Sequence, residues 1–246
     1  MIKKIVVCIV YKGKFVNLFA VIVNKLYFVK RCEMTTLLLV RHGESVANGK
    51  SFFAGHLDID LSQLGYKQAE CTAEYIEKNY SVDVVYSSDL QRAYHTAEPI
   101  AKMTGALLKK EEALREIYAG EWQGLTFDEL QSKYADSYGV WLTDIGRAAC
   151  INGETVKELY ERVWNVLQKI LNENMDKTVV IVTHATPIRA ICCRLMGKSV
   201  EEMKNVAWVS NASITQVIYN GGEWSIKEKS IDRHLADMLT KFPPNV

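Results

Sequence analysis

From Met34 onward the apolar positions fall into two alternating patterns. Short unbroken runs at 35–40 (TTLLLV), 83–87 (DVVYS) and Thr178–Thr183 (TVVIVT) are what strands covered on both faces require, since a half-exposed strand would place a polar residue at every second position. Between them the apolar residues recur at helical spacing. Helices are predicted over 62–80 and 89–103, with acceptable caps at Ser62 and Asp89. Thr126 and Glu129 make a capping box, and 153–175 carries Val156, Leu159, Val163, Val166 and Ile170 on one stripe. Pro187 suits the first turn of a helix ending at Gly197. Two later strands, 213–219 and 224–228, flank a turn containing Asn220-Gly221-Gly222. The order predicts an α/β fold with a doubly wound, mostly parallel sheet flanked by helices. In such a sheet ligands bind beyond the carboxyl ends of the strands.

Residues 1–33 break this pattern and are set apart from 34–246 as an N-terminal extension. The segment is apolar but studded with lysines, and its longest uncharged stretch, 15–24, is about half of a membrane span. It lacks the small-residue cleavage site of a signal peptide. Two readings fit: a strand-rich or basic amphipathic extension, or translated sequence upstream of a natural start at Met34; a peripheral membrane anchor fits less well. The extension also hides a charge asymmetry. The whole chain carries +1, but 1–33 contributes +6 and the remainder is −5. A domain of that charge has no general attraction for nucleic acid, so an anionic ligand must be held by a few local cations. The six cysteines form no C-x-x-C pair and no zinc-knuckle spacing, and read as small buried hydrophobes in a reducing compartment, the cytoplasm.

The exits of the strands carry the chemistry. Arg41-His42 follows the first, His184 follows 178–183, and Arg92 lies just past the third. Each histidine precedes a turn and a helix N-terminus, a ready anion site. A Walker A loop at Gly43 to Ser51 is disfavoured by spacing, because five residues instead of four separate its glycines.

Six ordered blocks, 39–48 (LVRHGESVAN), 60–65 (DLSQLG), 87–97 (SSDLQRAYHTA), 114–124 (LREIYAGEWQG), 153–155 (GET) and 182–184 (VTH), resemble the histidine phosphatase (phosphoglycerate mutase-like) superfamily across almost all of 34–246. The family usually has Gly where Ala185 stands here. The resemblance implies a phosphoglycerate mutase-like fold with a small helical lid and a phosphohistidine mechanism needing neither metal nor cofactor. His42 would be the nucleophile and Glu116 the proton donor and then base. Arg41, Arg92, His184 and Asn48 would be the phosphate ligands. His56, His95 and His234 receive no role. The family's mutases carry cations where this chain has Ile117, Phe127, Leu142 and Thr143, which points to a phosphatase for a small phosphorylated metabolite. A mutase is the alternative, with a non-catalytic phosphate-binding module or a P-loop protein more remote. The aromatics Tyr118, Trp122, Tyr134, Tyr138 and Trp141 read as lid core more than as a substrate cage. Substrate identity and oligomeric state are left open by the sequence.

Overall fold

Among the described residues there are nine strands and seven α-helices, and from Met34 onward they follow the order set by that alternation. The computed structural model describes residues 4–11, 14–23, 26–31 and 34–240, the first three stretches as backbone. Strands β1 (Lys4–Tyr11), β2 (Lys14–Val23) and β3 (Leu26–Arg31) form an antiparallel sheet of their own. Cys32 and the side chain of Cys8 lie outside the described residues. Then come β4 (Met34–Arg41), α1 (Val46–Gly49), α2 (Gln63–Asn79), β5 (Val84–Ser87), α3 (Gln91–Thr104) and β6 (Leu107–Lys110). A helical insertion follows with α4 (Phe127–Lys133) and α5 (Ala135–Thr143), and after it α6 (Val156–Glu173), β7 (Thr178–Thr183), α7 (Ala185–Leu195), β8 (Ile214–Asn220) and β9 (Glu223–Ile231).

The main sheet has the order β6-β5-β7-β4-β8-β9, and only β8 runs against the other five strands. The apolar runs are two-faced as expected. Leu37, Leu39, Val179 and Ile181 meet Val163, Leu167 and Ile170 of α6 and Ile188 of α7, whereas Leu38, Val40, Val180 and Val182 meet Ala73 and Ile76 of α2 and Ala97 and Ile100 of α3. Each such side chain removed from water contributes roughly 1.5–3 kcal/mol, which anchors both helical layers to the sheet. The chain leaves β4 toward β5 and leaves β7 toward β8, so the connections diverge at the adjacent ends of β4 and β7. That divergence opens a crevice.

The β8–β9 turn is built as the sequence suggested, with Gly221 and Gly222 both at positive φ between the paired Asn220 and Glu223. Two readings need correction. β6, a four-residue edge strand, was not anticipated. The cap of α3 is also different: Leu90 is the N-cap residue, and Asp89 is engaged by Arg115 at 2.7 Å. The first N–H of that helix, Gln91, donates instead to Asp58 at 2.7 Å. Among the described residues no helix is long and apolar enough to cross a membrane.

Candidate active site

His42 and His184 come together because their strands are neighbours. Arg41 on β4 is in register with Thr183 on β7, the His42 N–H donates to Thr183 O at 3.0 Å, and the two imidazoles lie edge to face with centroids 5.1 Å apart. The loop after β4 is held from several sides. Gly43 N donates to Thr96 Oγ1 of α3, Glu44 N to Gln68 Oε1 of α2, and Asn211 Nδ2 to both His42 O and Gly43 O.

The state of His42 follows from these neighbours. Its Nδ1 lies 2.7 Å from Gly43 O, an acceptor only, so Nδ1 bears the proton and Nε2 keeps its lone pair. Burial, then the positive charges of Arg92 and Arg41, hold the His42 pKa well below 6.5. The same burial and Arg92 act on His184, which is fully buried with Nε2 2.9 Å from Ser88 Oγ and with Nδ1 unpaired among the described residues. Both rings are neutral near pH 7.

A cavity of about 500 Å³ opens at this point, and Arg41, His42, Asn48, Arg92 and Glu116 all line it. His184 does not reach the wall. Arg41 donates to Val209 O at 2.6 Å, and Arg92 donates to Leu57 O and Gly55 O at 2.9 and 2.8 Å, which aims both guanidinium groups. Burial lowers each to about 10, and the nearby Glu116 carboxylate offsets part of that lowering; both stay cationic. In Asn48 the carbonyl oxygen is consumed by Ser45 N, Ser45 Oγ and Asn211 Nδ2, so the amide NH₂, which donates to no described residue, is left for a ligand. The Glu116 carboxylate accepts from Ile117 N at 2.9 Å and, at 3.4 Å, from Thr186 N in the first turn of α7. All six residues marked from the sequence therefore converge.

The far wall comes from the helical insertion and from residues the sequence reading had not marked. Phe127, Leu142 and Thr143 line the cavity as three of the four cation replacements, while Ile117 is buried elsewhere. Trp122 is lid core, packed edge to face against Phe53, Tyr138 and Trp141, and Tyr138 and Trp141, packed in the same core, also line the cavity. Two further cations, Arg189 and Lys204, sit in the wall. Arg189 is committed to Met203 O and Lys204 O and lies over the Trp208 ring, and Lys204 is 3.4 Å from Asp144. Neither stands near His42 in sequence, so spacing alone carried no signal for them. His56 holds Glu116 O at 2.7 Å, and His95 and His234 lie in hydrogen-bonded positions away from the cavity. The described cysteines are free, with Cys150, Cys192 and Cys193 buried; burial pushes the Cys150 thiol up to about 12 and Cys192 to about 11.

The chain as a whole is similar to known proteins. Phosphoserine phosphatase 1 of Hydrogenobacter thermophilus is 33% identical over 208 residues, 85% of this chain and 98% of that protein. The metal-independent phosphoserine phosphatase of Arabidopsis thaliana is 31% identical over 84% of this chain and 85% of its own length. The structure of a mycobacterial glucosyl-3-phosphoglycerate phosphatase in complex with VO3 superposes with a TM-score of 0.73 at 28% identity, covering 80% of this chain and 99% of that one. Residues 37–232 match the family model of the histidine phosphatase superfamily (branch 1), and the chain belongs to that superfamily.

Proposed function

We propose that this protein is a phosphatase that hydrolyses small phosphomonoesters through a phosphohistidine on His42, with water as acceptor and no metal. The observation that carries the reading is the state of His42: neutral, with Nδ1–H fixed on Gly43 O and the Nε2 lone pair available at a cavity lined by two buried arginines. Nε2 attacks phosphorus in line with the ester oxygen. Arg41, Arg92 and the Asn48 amide hold the three phosphoryl oxygens, and His184, edge to face with His42 just behind the cavity wall, supports the site from beneath. Glu116 protonates the departing alkoxide, then as carboxylate removes a proton from the water that splits the N–P bond. Charge stabilisation comes from guanidinium groups, which supply in this site what a divalent ion supplies in others.

Water rather than a second phosphate is the acceptor because the wall opposite His42 offers Phe127, Leu142 and Thr143 in place of cations; of its two further cations, Lys204 is paired with Asp144 and Arg189 gives two of its five N–H donors to Met203 O and Lys204 O. A bisphosphorylated intermediate would miss charge-assisted hydrogen bonds worth about 1.5–3 kcal/mol each and would leave before transferring its phosphate. The named relatives act on phosphoserine and glucosyl-3-phosphoglycerate, and a compact phosphorylated metabolite of that kind fits a 500 Å³ cavity with one aromatic wall. The free cysteines suit the cytoplasm. Rapid quench with a labelled phosphomonoester, in chelator, tests the mechanism: an acid-labile adduct on His42 should form and decay to inorganic phosphate. Loss of turnover in chelator that a divalent ion restores, full activity of His42→Ala, or conversion of 3-phosphoglycerate to 2-phosphoglycerate faster than phosphate release would overturn it.

A further inference from the structure

The segment that presents Glu116, 113–118, leaves a short 3₁₀ turn (Glu112–Leu114) for irregular backbone, yet nearly every carbonyl in it has a partner. Thr183 Oγ1, one residue before His184, donates to Leu114 O at 2.6 Å. Three more carbonyls converge on one side chain of α6, Arg162. Its Nη1 donates to Ala113 O at 2.8 Å and Arg115 O at 3.0 Å, its Nη2 to Glu116 O at 3.2 Å, and its Nε and Nη2 to the two carboxylate oxygens of Glu154 at 2.8 and 2.7 Å. Those five bonds use all five N–H donors of a guanidinium. Glu154 in turn brackets the downstream end of the segment, its carboxylate accepting from Tyr118 N at 3.2 Å and its own N–H donating to Tyr118 O at 2.7 Å. His56, which burial keeps neutral, completes the ring at Glu116 O.

We infer that the Arg162–Glu154 pair is a positioning device for the proton donor: it fixes the backbone at Glu116 so that the carboxyl meets the leaving oxygen, while Arg162 itself touches neither substrate nor cavity. The inference rests on the proposed role of Glu116. A loop without regular hydrogen bonds would let the carboxyl wander, and a misplacement of about 1 Å costs on the order of 100-fold in rate. The planar fork of arginine matches three carbonyls and a carboxylate at once, and a lysine with three donors on a point charge does not.

A positioning role makes a selective prediction. Proton donation matters for an alkyl phosphate and hardly at all for an activated aryl phosphate whose leaving group needs no proton. kcat/KM, which reports formation of the phosphohistidine, should therefore fall about 10- to 100-fold in Arg162→Lys with an alkyl phosphomonoester and less than about threefold with 2,4-dinitrophenyl phosphate. The leaving-group dependence should steepen as it does in Glu116→Gln, and adding Arg162→Lys to Glu116→Gln should cost nothing more on the alkyl ester. Should Arg162→Lys fold poorly, Glu154→Gln keeps the shape of the pair and should show the same selectivity at smaller size. Equal losses on both substrates, or losses that add to those of Glu116→Gln, would show a merely structural bridge and overturn the inference. Failure of the underlying reading looks different: Glu116→Gln itself would then show no leaving-group selectivity.

Discussion

The loop that carries His42 lies against the first turn of α2 with backbone on backbone. A methyl group added to Gly65 would stand 2.0 Å from Glu44 O and 2.9 Å from Glu44 C, where ordinary contact begins near 3.4 Å. Gly65 is at the same time the residue whose N–H is capped by Ser62 Oγ, and Ser62 bonds Glu44 through both its N–H and its hydroxyl. In Gly65→Ala the two segments must therefore separate by roughly 1.4 Å while those bonds hold them together, so the strain passes into the turn at Gly43 and on to His42. Overpacking of this kind costs about 1–3 kcal/mol, which for a domain of this size lowers Tm by roughly 2–12 °C. A nucleophile displaced by about 1 Å loses on the order of 100-fold in kcat/KM. Calorimetry and steady-state assay of Gly65→Ala measure both effects. Gly139→Ala is the control for stability, because that glycine lies inside α5 with nothing within 4 Å of the added methyl, and it should hold or raise Tm. A Gly65→Ala enzyme within threefold of the parent in kcat/KM would refute the idea that this contact sets the position of His42.

Two further outcomes follow from the site and the sheet. Because His42 and His184 are held well below 6.5, the folded protein stays neutral at both rings as pH falls through 6.5 while the unfolded chain takes up protons, so stability should decline from pH 7 toward pH 5; ¹⁵N spectra should show His42 as the Nδ1–H tautomer at pH 6.5, and a half-protonated ring there would contradict the assignment. Since β4 begins at Met34 and is paired on both sides by β7 and β8, while β1–β3 share no hydrogen-bonded strand with the main sheet, protein starting at Met34 should remain soluble with kcat/KM within twofold; insoluble protein would show that the extension completes the core.

The elements legible in the sequence are those whose signal is local. TTLLLV and TVVIVT read as central strands because both of their faces are covered, α2 and α4 announce themselves through Ser62 and Thr126 as caps, and α6 through its apolar stripe. β6 was missed because an edge strand of four residues with Lys109 and Lys110 has neither an apolar run nor clear alternation; charged residues at an edge guard it against pairing with another chain. The start of α3 was misjudged for a related reason. Asp89 has the right chemistry for a cap, but a tertiary partner, Arg115, outcompetes the local one, and the helix takes its cap from Asp58 more than thirty residues away.

The candidate site divides along the same line. Motifs point to the atoms proposed to react: Arg41, His42 and His184 stand at strand exits, Arg92 in the first turn of α3 and Glu116 in the loop before the helical insertion, at a spacing visible in the chain. What puts those atoms in a reactive state comes from elsewhere: Asn211 and Thr96 hold the His42 loop, Leu57 and Gly55 aim Arg92, and Arg162 with Glu154 ties down the carbonyls around Glu116. The same holds for selectivity. Reading Phe127, Leu142 and Thr143 as lost cations led to an apolar wall, and three of the four positions do form one, yet Arg189 and Lys204 enter that wall from α7 and the segment after it. Lys204 is paired with Asp144, and Arg189 gives two of its five N–H donors to backbone carbonyls. A cation count from sequence would thus have misjudged the second anion site in either direction, because what decides it is how many N–H donors are left over once the protein's own acceptors are served.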